Sequence, residues 1–232
     1  MSVAEAIKPK PFAWSYSRLK NFETCAKRHY HLDIAKDVQQ PPSEHLEWGD
    51  LVHKSAAAYL GKGLELPPGM PRLKLWSDRV LKARDTLGAK LLVEQKLAIT
   101  ESLKPCAYFD SDCWLRTVVD VLALAPPVAM LMDWKTGRRT EDAVQLALSA
   151  AVVFAHYPEV KKVRTEFIWL KEGDDKSSRE DFIRADMHQL WHALHPRLYA
   201  LKRAYADNEF LPTHNSLCKY WCPVKSCKHW GT

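Results

Sequence analysis

Apolar positions recur at helical spacing early in the chain and at strand spacing in its middle. Ser15 or Ser17 begins a helix with Leu19, Phe22, Ala26 and Tyr30 along one stripe. The turn-rich run Gln39-Gln40-Pro41-Pro42-Ser43 separates it from a second helix around Trp48–Leu60, which carries His53. Pro67, Pro68, Gly69 and Pro71 mark a loop before a third helix, Leu73–Lys90. The period then drops to two. Leu91, Val93, Leu97 and Ile99 fall on one face of a half-buried strand, and Glu94, Lys96 and Thr100 on the other. Leu115–Leu124 reads as a second strand with Asp120 inside it, and Met130–Trp134 as a third, joined to the second at Pro126-Pro127 and ended by Gly137. An apolar helix over Glu141–His156 and a strand over Arg164–Leu170 follow, then an exposed hairpin tip over Lys171–Glu180 and a strand near Phe182–Ala185. A long helix from Asp186, as N-cap, to Asn208 is expected to kink at Pro196. This order predicts an α/β fold with a central mixed β-sheet flanked by helices. One domain is expected, with a loose tail over 1–14, a helical region over 15–90, a sheet core over 91–186 and a long helix with a Cys-rich tail over 187–232.

Composition narrows the class. The 232 residues are 47% hydrophobic, enough for one domain to bury about 70% of its unfolded surface. A net charge of +6 permits a polyanionic partner without demanding one. The opening MSVAEAIKPK lacks the apolar core of a signal peptide, and Asp120, Pro126-Pro127 and Gln145 interrupt the longest apolar stretches. An intracellular, cytoplasmic protein without a membrane segment is expected. Three of the six cysteines, Cys218, Cys222 and Cys227, crowd together, whereas Cys25, Cys106 and Cys113 are scattered. Without a secretion signal, such a cluster reads as a metal site rather than a disulfide framework. Cys106 and Cys113 have no ligand-like spacing.

Asp120 sits among Val118, Val119, Val121 and Leu122, where an aliphatic residue is the ordinary choice. A buried carboxylate is costly unless it is paired or bound to a metal. Asp133 ends the run Ala129–Met132, and Lys135 shares its face because strand side chains repeat every two residues. Two neighbouring strands would therefore bring two carboxylates and one ammonium to a point. Hard oxygen ligands suit Mg²⁺ or Mn²⁺, which acidify a bound water and polarise a phosphodiester. Lys135 would orient that water or steady the developing charge.

The pattern Asp120…Asp133-x-Lys135 resembles the PD-(D/E)xK nuclease superfamily, with its restriction-endonuclease-like core. Other runs are similar to its RecB-type exonuclease branch: Ser15-Tyr16-Ser17-Arg18-Leu19…Phe22…Cys25…Arg28…Tyr30, Gly49-Asp50-Leu51-Val52-His53, and Asp133-Trp134-Lys135-Thr136-Gly137 with Gln145. The resemblance implies a single nuclease domain whose metal is held by His53, Asp120, Asp133 and the backbone carbonyl of Trp134. It implies catalytic roles for Asp120, Asp133, Lys135 and Gln145, and leaves Glu94 between an outer-sphere role and plain exposure. The chain departs from the branch at Thr117, where a glycine is frequent, and at Ser149, where a tyrosine is. Neutral imidazole suits Mn²⁺ better than Mg²⁺, so manganese should support the higher activity.

The iron–sulfur subset of that branch joins one N-terminal cysteine to three C-terminal ones, which implies a [4Fe–4S] cluster on Cys25, Cys218, Cys222 and Cys227. The spacing here, x3 then x4, differs from the usual x2 then x5 over the same span. Zinc, with His214 or His229 as a substitute ligand, and free thiols stand as alternatives.

DNA is the implied partner, as linear or single-stranded ends. Basic residues include Arg138 and Arg139, placed for nucleic acid, and Lys161, Lys162, Arg164, Lys202, Arg203, Lys219, Lys225 and Lys228. Related small nucleases resemble phage recombination exonucleases and CRISPR-associated adaptation nucleases, implying a role in recombination, repair or end processing in a bacterial or phage setting. No Gly-x4-Gly-Lys-Ser/Thr motif is present, so unwinding would fall to a helicase or recombination partner. Two other readings stand beside the exonuclease: an endonuclease of the same superfamily, and a non-catalytic, metal-stapled DNA-binding module. The oligomeric state is open.

Overall fold

The computed structural model describes residues 12–140, 142–171 and 177–232. Most of the expected tail, the helix start at Glu141 and the centre of the expected tip between Lys171 and Glu180 lie outside the described residues.

Ser15 caps the first helix, α1 (Tyr16–Thr24), its hydroxyl accepting from the Arg18 amide. The expected stripe does not continue unbroken to Tyr30. Backbone at Cys25 is extended, and the chain resumes as a short α2 (Ala26–His29) and a π-helical turn, Tyr30–Ala35. The break frees the Thr24 carbonyl, which accepts from the Asn215 side chain at 2.9 Å. Ser43 caps α3 (Glu44–Lys62), which therefore starts before Trp48 and ends at Gly63, in the left-handed region at φ 68°. Helix α4 (Pro71–Leu87) opens on a proline, whose missing amide leaves no orphan donor there.

The six strands are β1 (Lys90–Thr100), β2 (Pro105–Cys106), β3 (Cys113–Ala125), β4 (Val128–Lys135), β5 (Lys162–Trp169) and β6 (Ser177–Ile183), in the order β2-β1-β3-β4-β5-β6. Only β4 and β5 are parallel, joined by α5 (Ala143–His156); every other pair is antiparallel. The sheet is mixed and flanked by helices, as the element order predicts. The short β2 has no signal in the sequence. Strand β6 takes up Ser177–Glu180, part of the expected tip, because these residues pair with β5. Asp186 occupies the expected N-cap position of the last helix, but its side chain caps nothing. It closes a 3₁₀ turn, Arg184–Asp186, in right-handed helical backbone, with no side-chain bond to the helix that follows. That helix, α6 (Met187–Asp207), runs through Pro196 as one element.

Two apolar cores cover the two faces. One joins the sheet to Leu19 of α1, Leu146–Phe154 of α5, and Leu194 and Leu201 of α6. The other joins it to Val52, Ala56 and Leu60 of α3 and Leu73, Trp76 and Val80 of α4. Burying one such leucine or valine contributes roughly 1.5–3 kcal/mol. Strand β4 alternates cleanly, with Ala129 and Leu131 on the α5 side and Met132 and Trp134 on the α3 side. Strand β1 does not. Leu91 and Val93 pack with α3 and α4, whereas Leu97 and Ile99 join the opposite core, so the single apolar face expected for this strand is divided. The change of phase falls at Glu94, whose backbone is left-handed at φ 48°. Across from it, Val119 and Val121 of β3 part to opposite cores on either side of Asp120.

Pairing of β3 with β4 reaches Val121–Met132 and goes no further toward Asp120. Beyond it the strands diverge, and the N-terminal half of β3 stays with β1. Trp14 bridges to the free edge at Leu115. The resulting notch in the sheet holds the polar residues.

Candidate active site

At the notch, a side chain takes over from the backbone ladder. The Trp134 amide donates to Asp120 Oδ2 at 2.8 Å, fixing the buried carboxylate between the diverging strands. The other oxygen, Oδ1, lies 3.2 Å from Nδ1 of His53 on α3. One turn before His53, Gly49 lets α3 approach the end of β4: a Cβ there would sit 3.3 Å from Thr136 Oγ1. Glu94 Oε1 lies 3.9 Å from His53 Nδ1. Ligand atoms of His53, Glu94 and Asp120 all fall within 4.8 Å of one another. The left-handed backbone at Glu94, a conformation costing roughly 1–3 kcal/mol, aims its carboxylate into this group.

Asp133 and Lys135 project from β4 toward α5. Lys135 Nζ is 2.7 Å from Asp133 Oδ2 and donates to Gln145 Oε1 at 3.2 Å. Gln145 Nε2 donates in turn to Asp133 Oδ1 at 2.9 Å, closing a ring of three side chains. Lys135 also lies 4.7 Å above the Phe167 ring. Asp133 Oδ2 is buried and, among the described residues, receives no well-directed hydrogen bond, so it relies on the charge attraction of Lys135 and, more weakly, His53.

The carboxylates crowd one another. Burial, and then the charge of Asp120, pushes the Asp133 carboxyl up to about 6. The same two causes raise Glu94. The hydrogen bond to Asp120 raises His53 above its usual value, against the opposing effect of burial. One imidazole nitrogen, clustered carboxylate oxygens and an under-compensated buried oxygen fit a divalent cation of the Mg²⁺ or Mn²⁺ kind. The tightest ligand group includes Glu94. Asp133 lies outside it, turned to Lys135 and Gln145. Trp134 offers its amide to Asp120, while its indole is buried against α3 and α4.

Cys25, Cys218, Cys222 and Cys227 line one small cavity, together with Lys27 and Arg28. Cys25 Sγ accepts from the Thr213 amide at 3.4 Å, and burial raises the Cys222 thiol. His214 and His229 face each other at 5.4 Å and are not among the described residues lining this cavity. Cys106 has neighbours that its sequence spacing does not reveal: its ligand atom lies within 4.8 Å of those of Asp110 and Asp112 in the β2–β3 loop.

Arg138 and Arg139 are exposed just beyond β4. Several other expected DNA contacts are engaged elsewhere. Lys162 and Arg164 pair with Asp181 at the end of β5 away from Lys135, Lys202 pairs with Glu101, and Arg203 with Asp207.

Residues 13–227 match the family model described as PD-(D/E)XK nuclease superfamily. None of the curated proteins compared matches the chain. Among solved structures, a protein named "Putative exonuclease" from Eubacterium rectale aligns with a TM-score of 0.55 at 11% identity, covering 98% of this chain and 91% of that one. An alkaline exonuclease from Laribacter hongkongensis aligns with a TM-score of 0.38 at 10% identity, over 85% of this chain and 91% of that one. The first likeness supports the fold, and the second is too loose to argue from. With a family match from the first helix to the last cysteine, and an acid-x-lysine step at the end of β4, the chain belongs to the PD-(D/E)XK nuclease superfamily.

Proposed function

We propose that this chain is a divalent-metal-dependent DNA exonuclease acting in recombination, repair or end processing. The observation that carries the reading is the joining of two polar groups at one notch: His53, Glu94 and Asp120 on one side, and Asp133, Lys135 and Gln145 on the other. A decayed, purely binding relative would have no use for so many uncompensated charges. The name of the E. rectale protein favours exonuclease over endonuclease action.

His53, Glu94 and Asp120 would hold the cation, with Asp133 and the Trp134 carbonyl as its further ligands. When bound, the metal supplies charge neutralisation at the phosphate and a more acidic water. Lys135, steadied by Asp133 and Gln145, holds the attacking water or a phosphate oxygen by hydrogen bonding. The water oxygen forms a new bond to phosphorus, giving up a proton to solvent, as the bond to the sugar oxygen opposite breaks and that oxygen takes a proton from solvent. Arg138 and Arg139 steady the flanking phosphates. Away from this site, Cys25 at the end of the first helix and Cys218, Cys222 and Cys227 in the tail would hold a [4Fe–4S] cluster that fastens the two together.

The test uses end-labelled linear DNA beside closed circular DNA, with Mn²⁺, Mg²⁺ or EDTA, and wild type beside Lys135→Ala. Metal-dependent loss of the linear form alone, absent in the variant that still binds DNA, is the expected result. Cutting of circles would make the chain an endonuclease. Unchanged turnover in Lys135→Ala would overturn the site assignment.

A further inference from the structure

The notch opens into a groove of about 560 Å³ that runs along the free edge of β3 and is bounded by Tyr16, Lys20, Tyr108, Arg116, Lys135 and Gln145. Its inner end is therefore the candidate catalytic ring, and its outer end is the β2–β3 loop. That loop carries two adjacent aromatic residues. Tyr108 is half-buried, and Phe109 is 77% exposed, a large apolar surface for one side chain. Their rings meet edge to face at 5.1 Å. Two cations lean over both rings: Arg116 at 5.5 and 5.6 Å, and Lys96 at 5.9 and 6.0 Å. Lys96 and Arg116 stand on β1 and β3, in the same strand pair as Glu94 and Asp120. Arg116 lies four residues before Asp120, about 14 Å along an extended strand.

We propose that Tyr108 and Phe109, with Lys96 and Arg116, form a stacking platform for the unpaired bases of a single DNA strand whose backbone enters the notch. The inference rests on the nuclease reading above and names the form of substrate that reaches the site. Two rings backed by two cations match what single-strand binding needs, an apolar face for a base and positive charge for the neighbouring phosphates. A duplex keeps its bases stacked inside, apart from the outer face of its terminal pair, and offers far less than a single strand to an exposed phenyl ring. The loop also holds Asp110 and Asp112. The Asp110 carboxylate accepts from the Ala107 amide at 2.7 Å, and negative charge beside the rings turns phosphates toward Lys96 and Arg116, leaving bases to meet the rings. None of the four proposed residues belongs to the catalytic group.

The experiment measures binding of a 2-aminopurine-labelled single-stranded oligonucleotide and of the matching blunt duplex, both in EDTA, so that no cleavage intervenes. The proteins compared are wild type, Tyr108→Ala/Phe109→Ala and Phe109→Trp. The double alanine variant should bind the single strand about 10–100-fold more weakly, about tenfold per ring, with little change for the duplex. Phe109→Trp should retain wild-type affinity and the quenching that reports stacking. Equal single-strand affinity in wild type and the double variant, equal losses for both DNAs, or a wild type that binds no single strand would each overturn the platform. The nuclease reading is judged separately, by metal-dependent cleavage against Lys135→Ala, and can fail while the platform stands.

Discussion

Asp133 is the residue at which fold and chemistry pull hardest against each other. Its carboxyl is raised from an ordinary 3.8 to about 6 by burial and by Asp120, even with Lys135 beside it. A carboxyl raised in the folded state binds its proton more tightly there than in the unfolded chain. The metal-free protein should therefore lose stability as pH climbs from about 4 to about 6, and the loss should persist above that range. At 1.36 kcal/mol per tenfold change in the ionisation constant, the deficit at neutral pH is on the order of 3 kcal/mol. Asp133→Asn removes the ionisable group and leaves an oxygen to accept from Gln145, so it should be the more stable protein in EDTA at pH 7.5. For a chain of this size, ~3 kcal/mol corresponds to about 6–12 °C in melting temperature. The attraction of Lys135 is already inside that figure, because it lowers the carboxyl from where burial and Asp120 would otherwise put it. Thermal melts of both proteins in EDTA, at pH 4.5 and pH 7.5, measure the gap, which should shrink at the lower pH. Adding Mn²⁺ should raise the wild-type melting temperature and move the variant far less, while DNA cleavage is lost in the variant. A variant no more stable than wild type at pH 7.5 would mean that Lys135 fully compensates the carboxylate, and the picture of crowded charges would be wrong.

His53 holds its proton more tightly than a free imidazole because of Asp120, so that proton favours the metal-free fold below about pH 6.5 and is lost as pH rises through the elevated value. Calorimetric Mn²⁺ affinity should therefore increase between pH 6 and pH 8, and His53→Gln should flatten that increase; an unchanged slope would remove His53 from the ligand set. Cys25→Ser, purified without oxygen, should lack the brown colour and broad visible absorption expected of wild type, whereas a colourless wild type with stoichiometric zinc would select the other metal. Gly49→Val places carbon against Thr136 and should lower turnover several-fold while far-ultraviolet circular dichroism stays the same. Ser15→Ala removes the cap of α1 and should cost about 1 kcal/mol in denaturant titrations, with activity intact.

Much of the fold can be read from the chain because its strands are apolar and its turns are marked. Val and Leu around Asp120, and the apolar run Ala129–Met132, foretell both strands, and the two-residue repeat of a strand foretells the shared face of Asp133 and Lys135. The reading fails where local pattern and backbone part company. A period-two count through Leu91–Ile99 assumes uniform pleating, and a left-handed residue at Glu94 reverses the faces midway. Nothing in the apolar pattern announces this, yet it brings Glu94 in among the ligands. Asp186 stands at the cap position its residue type suggests, but it also closes a 3₁₀ turn in helical backbone, and its side chain makes no bond to the helix. The groove residues Tyr108 and Arg116 lie far apart from Lys135 in sequence, and only the divergence of β3 from β4 brings them to one surface.

The break at Cys25 ties residues 24 and 25 to residues 213 and 215 through the Thr24 carbonyl and the cysteine sulfur. During synthesis the first helix leaves the ribosome well before its partners for these bonds. Until then Cys25 has no companion thiols, and no metal can be held by all four cysteines. A chain released before residue 213 is therefore left with an unsealed seam that the cell's proteases can find.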